Sequence, residues 1–226
     1  MTGVRYRDDP RGIRSILIDR PDTRNAINPE VVSGIRQGVM DAPGPVVVLG
    51  SVDPGAFSSG ADLALPETER AKVSDSLYGL YQQMRASRQI IIAAASGPAV
   101  GGGAQLLIAS DIRIVSPHAS IRFLGPSHGL VVGAWGLPSL VGRGRAMDLC
   151  LSMRTVDAEE ALAIGLVDRI VEDPLDSALD YAAALLSLDH SALSAVKKVI
   201  SIDSVDESLR AERAANSSWD GEVRRP

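Results

Sequence analysis

Cysteine occurs once in the 226 residues, at Cys150, which excludes an intrachain disulfide and a thiolate metal cluster. It falls within Ala146-Met147-Asp148-Leu149-Cys150-Leu151, a helical stretch in which it reads as a small buried hydrophobe. Aromatic residues make up only 4%, while Gly and Ala are abundant, so the chain must pack close layers of small side chains. No apolar run reaches the roughly 20 residues that span a membrane, and the longest, near 90–95 and 106–109, suit buried elements. Arg5, Arg7, Asp8 and Asp9 interrupt the N-terminus in a way a signal peptide does not, and the cytoplasm is the expected location. Positive charge is not in excess either. A formal net charge of -5 argues against nucleic acid as a general partner, yet an anionic ligand can still be held by helix N-termini. His118 and His190, with Asp111 and Asp189, form no metal-ligand spacing, and no metal is expected.

What remains is an ordinary globular balance, 45% hydrophobic and 23% charged, in a chain long enough for one substantial core with a small appendage. Residues 13–18 read as a strand broken by Asp19-Arg20-Pro21-Asp22. Asn28-Pro29-Glu30 reads as a helix start, with Asn28 as cap, and the helix runs to about Met40. Residues 46–49 and 90–95 are almost entirely apolar, the pattern of parallel strands covered on both faces. Between them a polar stretch, 66–75, leads to a helix over 76–86, where Leu77, Leu80, Tyr81 and Met84 recur at helical spacing. A helix over 103–109, strands at 111–115 and 120–123, and a helix over 137–151 broken near Gly142-Arg143-Gly144 follow. Asp157 and Glu160 form a capping box for a helix ending at Gly165, and 166–171 is a final strand. Helices over 174–188, 191–200 and 206–216 complete the chain. The order predicts an α/β architecture with crossover connections, divided into a sheet-bearing core over 1–172 and a helical region over 173–226.

Two glycine-centred segments carry the chemistry. Ala56-Phe57-Ser58-Ser59-Gly60-Ala61-Asp62 ends one strand, and Gly101-Gly102-Gly103-Ala104-Gln105 ends another and opens a helix. Together they can offer two backbone N–H groups to one oxygen. Fixed donors of this kind favour a carbonyl that gains negative charge, as one does when it becomes an enolate. The helix beginning near Gly103 adds a positive end potential, and the glycines permit close approach.

The segments Arg20-Pro21-Asp22-Thr23-Arg24-Asn25-Ala26-Ile27-Asn28, Gly55 to Leu63, Ala99-Val100-Gly101-Gly102-Gly103-Ala104-Gln105-Leu106, Ser110-Asp111-Ile112-Arg113, Gly129-Leu130-Val131 and Ala161 to Val167 resemble the enoyl-CoA hydratase/isomerase, or crotonase, family in order and spacing, over about 85% of the chain. The resemblance implies a repeated ββα spiral with a C-terminal helical trimerisation region, a homotrimer or dimer of trimers, and an acyl-CoA ligand, coenzyme A being the thioester portion of substrate rather than a prosthetic group. It implies an oxyanion hole made by the Ser59 and Gly102 N–H groups. It also implies coenzyme A contacts by Arg24, Ala26, Ala61, Asp62 and Lys197, with Lys198 beside it, and gives Asp62 a loop-shaping role.

The sequence departs from the family where proton transfer is done. The usual pair of glutamates falls at Gln105 and Ser127, and the Val132-Gly133-Ala134-Trp135-Gly136 segment, where relatives place an aspartate, holds no carboxylate. Glutamine cannot act as a carboxylate base. Histidine is the side chain suited to proton transfer at neutral pH, and His128, next to Ser127, is the remaining candidate base. Trp135 is a candidate for the acyl pocket wall, and Trp219 for an apolar contact that the altered C-terminal segment otherwise loses. Two functions follow: a lyase or isomerase of fatty acid metabolism acting through an enolate, or a non-catalytic acyl-thioester binding protein with the same carbonyl site.

Overall fold

The computed structural model describes residues 3–201 and 205–222. Its strands are β1 (Val4–Asp8), β2 (Ile13–Ile18), β3 (Val46–Ser51), β4 (Ile90–Ala95), β5 (Ala99–Val100), β6 (Ile112–Val115), β7 (Ser120–Arg122), β8 (Val156–Asp157) and β9 (Arg169–Ile170). Its helices are α1 (Pro29–Met40), α2 (Glu67–Ala86), α3 (Gly102–Ala109), α4 (Leu137–Val141), α5 (Arg143–Ser152), α6 (Ala158–Ala163), α7 (Pro174–Leu185), α8 (His190–Ile200) and α9 (Val205–Ala215). A six-stranded sheet runs β1-β2-β3-β4-β6-β9, and a three-stranded sheet runs β5-β7-β8. Only the β1–β2 pair of the larger sheet is antiparallel, and strands return through helices in the repeated ββα spiral. No described helix is long and apolar enough to cross a membrane.

The apolar runs become strands buried on both faces because side chains alternate across a strand. Val47 and Leu49 face the core shared with α1, α2 and α3, whereas Val46 and Val48 face a second cluster closed by Ala178 and Ala182 of α7. The expected caps form: Asn28 accepts from the Val31 N–H (3.0 Å) and Asp157 from the Glu160 N–H (2.8 Å). The break between α4 and α5 falls at Gly142, whose φ of 79° suits glycine.

The structure adds elements that periodicity does not show. β1 is charged and mostly exposed, but it is an edge strand and its backbone pairs with β2 from Val4↔Ile18 to Asp8↔Arg14. α2 begins at Glu67, so the polar lead-in is already helical. Glu67 and Glu69 suit a first turn, and Arg70 is drawn inward to bond the Leu63 and Leu65 carbonyls (3.3 and 2.5 Å) and the Gly221 carbonyl (2.8 Å). The last strand is shorter than expected, since only Arg169 and Ile170 pair with β6.

Candidate active site

The site is assembled where two loops meet the N-terminus of α3. Asn25, at a left-handed φ of 57°, is fully buried; its side chain bonds the Ala56 carbonyl (2.7 Å) and the Arg20 N–H (2.9 Å), fastening one loop to the other. Ser58 Oγ donates to the Asn25 carbonyl (2.8 Å) and accepts from the Gly60 N–H (3.2 Å). Parallel bridges then seat the glycine segment, through Ile27 N–H to Gly60 O (2.7 Å), Asp62 N–H to Ile27 O (3.0 Å) and Val100 N–H to Ser58 O (2.9 Å). A side chain at Gly60, where φ is +86°, would place its Cβ 2.7 Å from the Val100 carbonyl oxygen and 3.5 Å from the Gly102 nitrogen, so the two glycine segments are in direct contact.

This bonding decides which N–H groups are left for a ligand. The Ser59 N–H donates to the Arg24 carbonyl (2.9 Å), and so it is not the open donor expected from the sequence. The bridge to Ile27 uses the Gly60 carbonyl and the Asp62 N–H, which leaves the Ala61 N–H between them without an acceptor among the described residues. The Gly102 N–H, at the first position of α3, has none either, as expected of a helix N-terminus. Ala61 and Gly102 line one cleft, together with Leu77, Tyr78, Gln105, His128, Leu130 and Trp219. Two unpaired donors on one mostly apolar cleft, at the positive end of a helix, are groups of the kind that can serve an oxygen bearing negative charge.

Residues 8–222 match the family model described as enoyl-CoA hydratase/isomerase. The chain belongs to this family. It is 34% identical over 201 residues to a protein of Mycobacterium tuberculosis named "Probable enoyl-CoA hydratase echA6", covering 86% of this chain and 81% of that one. Its fold is similar to the crystal structures of an enoyl-CoA hydratase/isomerase from Mycobacterium paratuberculosis (TM-score 0.84, 26% identity, 98% and 96% of the two chains) and of an enoyl-CoA hydratase from Thermoplasma volcanium (TM-score 0.82, 28% identity, 96% and 92%).

Within this enoyl-CoA hydratase/isomerase fold the other expected residues divide. His128 lines the cleft, and its buried Nδ1 meets no hydrogen-bond partner among the described residues. Ser127 does not line the cleft. It sits in a 3-10 turn with its N–H toward Met153 Sδ (3.5 Å), which corrects its candidacy as a catalytic group. Gln105 is buried at the cleft, and its Oε1 accepts from the Trp135 indole N–H (2.7 Å) and the Gly133 N–H (3.3 Å). Trp135 therefore stands behind Gln105, stacked on Tyr81 at 5.7 Å, rather than on the cleft wall. Asp62 pairs with Arg20 (2.8 Å) and accepts from the Ala64 N–H (3.0 Å). Arg20 also bonds the Ala26 carbonyl (2.7 Å), while the Arg24 side chain is exposed beside the cleft segment its carbonyl holds.

Lys197 is a further correction. Its ammonium is buried and its three donors reach Asp111 (2.8 Å), the Met84 carbonyl (2.9 Å) and the Gln89 carbonyl (2.8 Å), tying α8 to the end of α2 and the start of β4. Burial lowers the Lys197 ammonium and raises the Asp111 carboxyl, each opposed by the attraction between them. With every donor engaged inside the chain, this side chain is a structural tie and has none to offer a phosphate.

The sequence reading missed Glu212. It is 3% exposed, yet carries a carboxylate that accepts from Tyr78 O–H (3.1 Å), Gly133 N–H (3.1 Å) and Trp135 N–H (2.9 Å). Burial pushes its carboxyl up to about 7 in spite of those donors. The signal was present: Val205, Leu209 and Glu212 fall at i, i+4 and i+7, the buried stripe of α9, so an acidic residue occupies a core position. Asn216 continues the same face and lines the cleft, so α9 closes one side of the site.

Proposed function

We propose that the cleft binds an acyl-CoA thioester and stabilises its enolate, with the Ala61 and Gly102 N–H groups on the thioester oxygen and His128 moving the proton. The observation that carries the reading is the pair of unpaired N–H groups on one cleft wall at the start of α3. Each fixed donor contributes on the order of 10²–10³ in rate when charge develops on the oxygen. Family membership supports coenzyme A as the thioester portion, and a hydration, isomerisation or related lyase step as the chemistry. A second reading, a protein that holds the thioester without turning it over, is favoured by one fact: no carboxylate is among the described residues lining the cleft. Exposed Val196, Val199 and Ile200 on α8 suit burial against further copies of the chain, in keeping with a trimer, which light scattering tests.

Deuterium uptake separates the readings. Butyryl-CoA incubated with the protein in D₂O gains deuterium at its α-carbon if an enolate forms. The proposal predicts exchange by the wild type, with H128A slower by about 10²–10⁴ at unchanged binding. Tight binding without exchange supports the holding protein, and absence of binding overturns both readings.

A further inference from the structure

We propose that Glu212 is a positioning residue of this cleft: its carboxylate sets the direction of the Tyr78 hydroxyl hydrogen, and thereby whether the cleft wall offers a hydrogen-bond donor. The ligand-bound part of the inference rests on the acyl-thioester reading above; the hydroxyl reversal itself does not.

A tyrosine hydroxyl has one hydrogen to donate and two lone pairs. Here the hydrogen goes to Glu212 Oε1 (3.1 Å), and the oxygen accepts from Asn216 Nδ2 (2.7 Å). The Gln105 amide has only one workable orientation, because its Oε1 faces the Trp135 indole N–H and the Gly133 N–H, neither of which can accept. With Glu212 ionised, the Tyr78 hydrogen is held on Glu212 and points away from the cleft.

Proton uptake by Glu212 breaks this arrangement. The other groups on the carboxyl, the Gly133 and Trp135 N–H groups, are donors and cannot receive its new hydrogen. The neighbour that can receive it is Tyr78 Oη, which must then turn its own hydrogen elsewhere. The remaining acceptor inside the chain is the Val131 carbonyl at 3.4 Å, a poor one, and the other direction is the cleft that Tyr78 lines. One proton bound at Glu212 thus becomes one donor on the wall shared with Ala61, Gly102 and Gln105. No covalent bond changes, and solvent supplies the proton.

The surroundings let Glu212 titrate in this way. No cation pairs with it among the described residues, and its partners are neutral dipoles. The titratable groups facing it are Tyr78 and Tyr81 of α2 and Cys150 of α5, whose thiol burial pushes up to about 11; His128 lies across the cleft, and Arg213 of its own helix is engaged with Asp75 (2.6 Å). The carboxyl itself stands near neutrality because burial, the largest influence on it, outweighs the hydrogen bonds it accepts.

The test has a ligand-free arm and a ligand arm. The Trp135 indole and backbone ¹⁵N–¹H resonances, separated from those of Trp219 with W219F, report the network directly. The inference expects one transition near neutral pH in the wild type, none in E212Q, and a retained transition in Y78F, which keeps the carboxyl but lacks the hydroxyl. In the second arm, crotonyl-CoA affinity is measured from pH 6.5 to 8, with free coenzyme A as control for phosphate titration. The wild type should bind about three- to tenfold more tightly at the lower pH, the effect of one added hydrogen bond, with Y78F flat. A wild type in which Trp135 does not titrate, a titration unchanged in E212Q, or a pH-dependent affinity unchanged in Y78F overturns the inference. A Trp135 transition that follows Glu212 while crotonyl-CoA binds at no pH supports the hydroxyl reversal and overturns the acyl-CoA reading instead.

Discussion

Replacing Lys197 by methionine separates its structural role from a ligand-binding one. Methionine keeps most of the apolar stem but removes the ammonium, so three interactions are lost together: the 2.8 Å pair with Asp111 and the bonds to the Met84 and Gln89 carbonyls at 2.9 and 2.8 Å. The Lys197 side chain is only 4% exposed and that of Asp111 22%, so water cannot readily replace the lost partner. Asp111 keeps the Ile91 N–H (2.7 Å) but loses its counter-charge. Breaking a buried pair by removing one partner costs about 3–5 kcal/mol. For a chain of this length that corresponds to a fall in Tm of about 6–20 °C. Urea unfolding followed by circular dichroism measures the loss. K197M/D111N should recover part of it, because the uncompensated carboxylate is gone, and the double-mutant cycle isolates the coupling. Crotonyl-CoA affinity should be unchanged at temperatures where K197M is folded. Stability within about 1 kcal/mol of wild type, together with weakened crotonyl-CoA binding, would refute the reasoning and return Lys197 to the ligand.

Three further outcomes follow from the same structure. The Glu212 carboxyl is raised from 4.5 to about 7 in the folded chain, so the folded state binds more protons than the unfolded one between those values. Its contribution is fully present below pH 4.5 and is lost as pH rises through 7, a decline of about 3 kcal/mol that denaturant titrations at several pH values should find in wild type and not in E212Q. G60A places a side chain at φ +86° with its Cβ 2.7 Å from the Val100 carbonyl oxygen; unfolding experiments should register about 1–3 kcal/mol of strain, and crotonyl-CoA binding should weaken as the two glycine segments part. W135F removes the 2.7 Å indole bond and leaves buried Gln105 Oε1 with only the 3.3 Å Gly133 contact, for which thermal melts should show a loss of about 1–3 kcal/mol.

The parts of the fold written in local pattern were readable from the sequence. Val46 to Leu49 and Ile90 to Ala95 are apolar at every position because helices cover both sheet faces, and Asn28 and Asp157 carry the cap chemistry that starts α1 and α6. The meeting of the two glycine segments was readable in the same way. The donor itself was not. Whether the Ser59 or the Ala61 N–H is open depends on the bridge between Ile27 and Ala61, a pairing across more than thirty positions that no local rule supplies. Ser127 and His128 are adjacent, and only the 3-10 turn that puts His128 on the cleft and leaves Ser127 off it distinguishes them. Glu212 lies far along the chain from Gln105, yet both accept from the Gly133 N–H. The search for a carboxylate near the usual loop positions could not find one that returns from a C-terminal helix.

The central claim is that the Ala61 and Gly102 N–H groups together receive a thioester oxygen. A crystal structure with crotonyl-CoA bound tests it most directly. The account predicts the thioester oxygen at about 2.7–3.1 Å from both nitrogens, with the Ser59 N–H still on the Arg24 carbonyl. A thioester oxygen that meets neither nitrogen, or a loop rearranged so that Ser59 donates in place of Ala61, would contradict it.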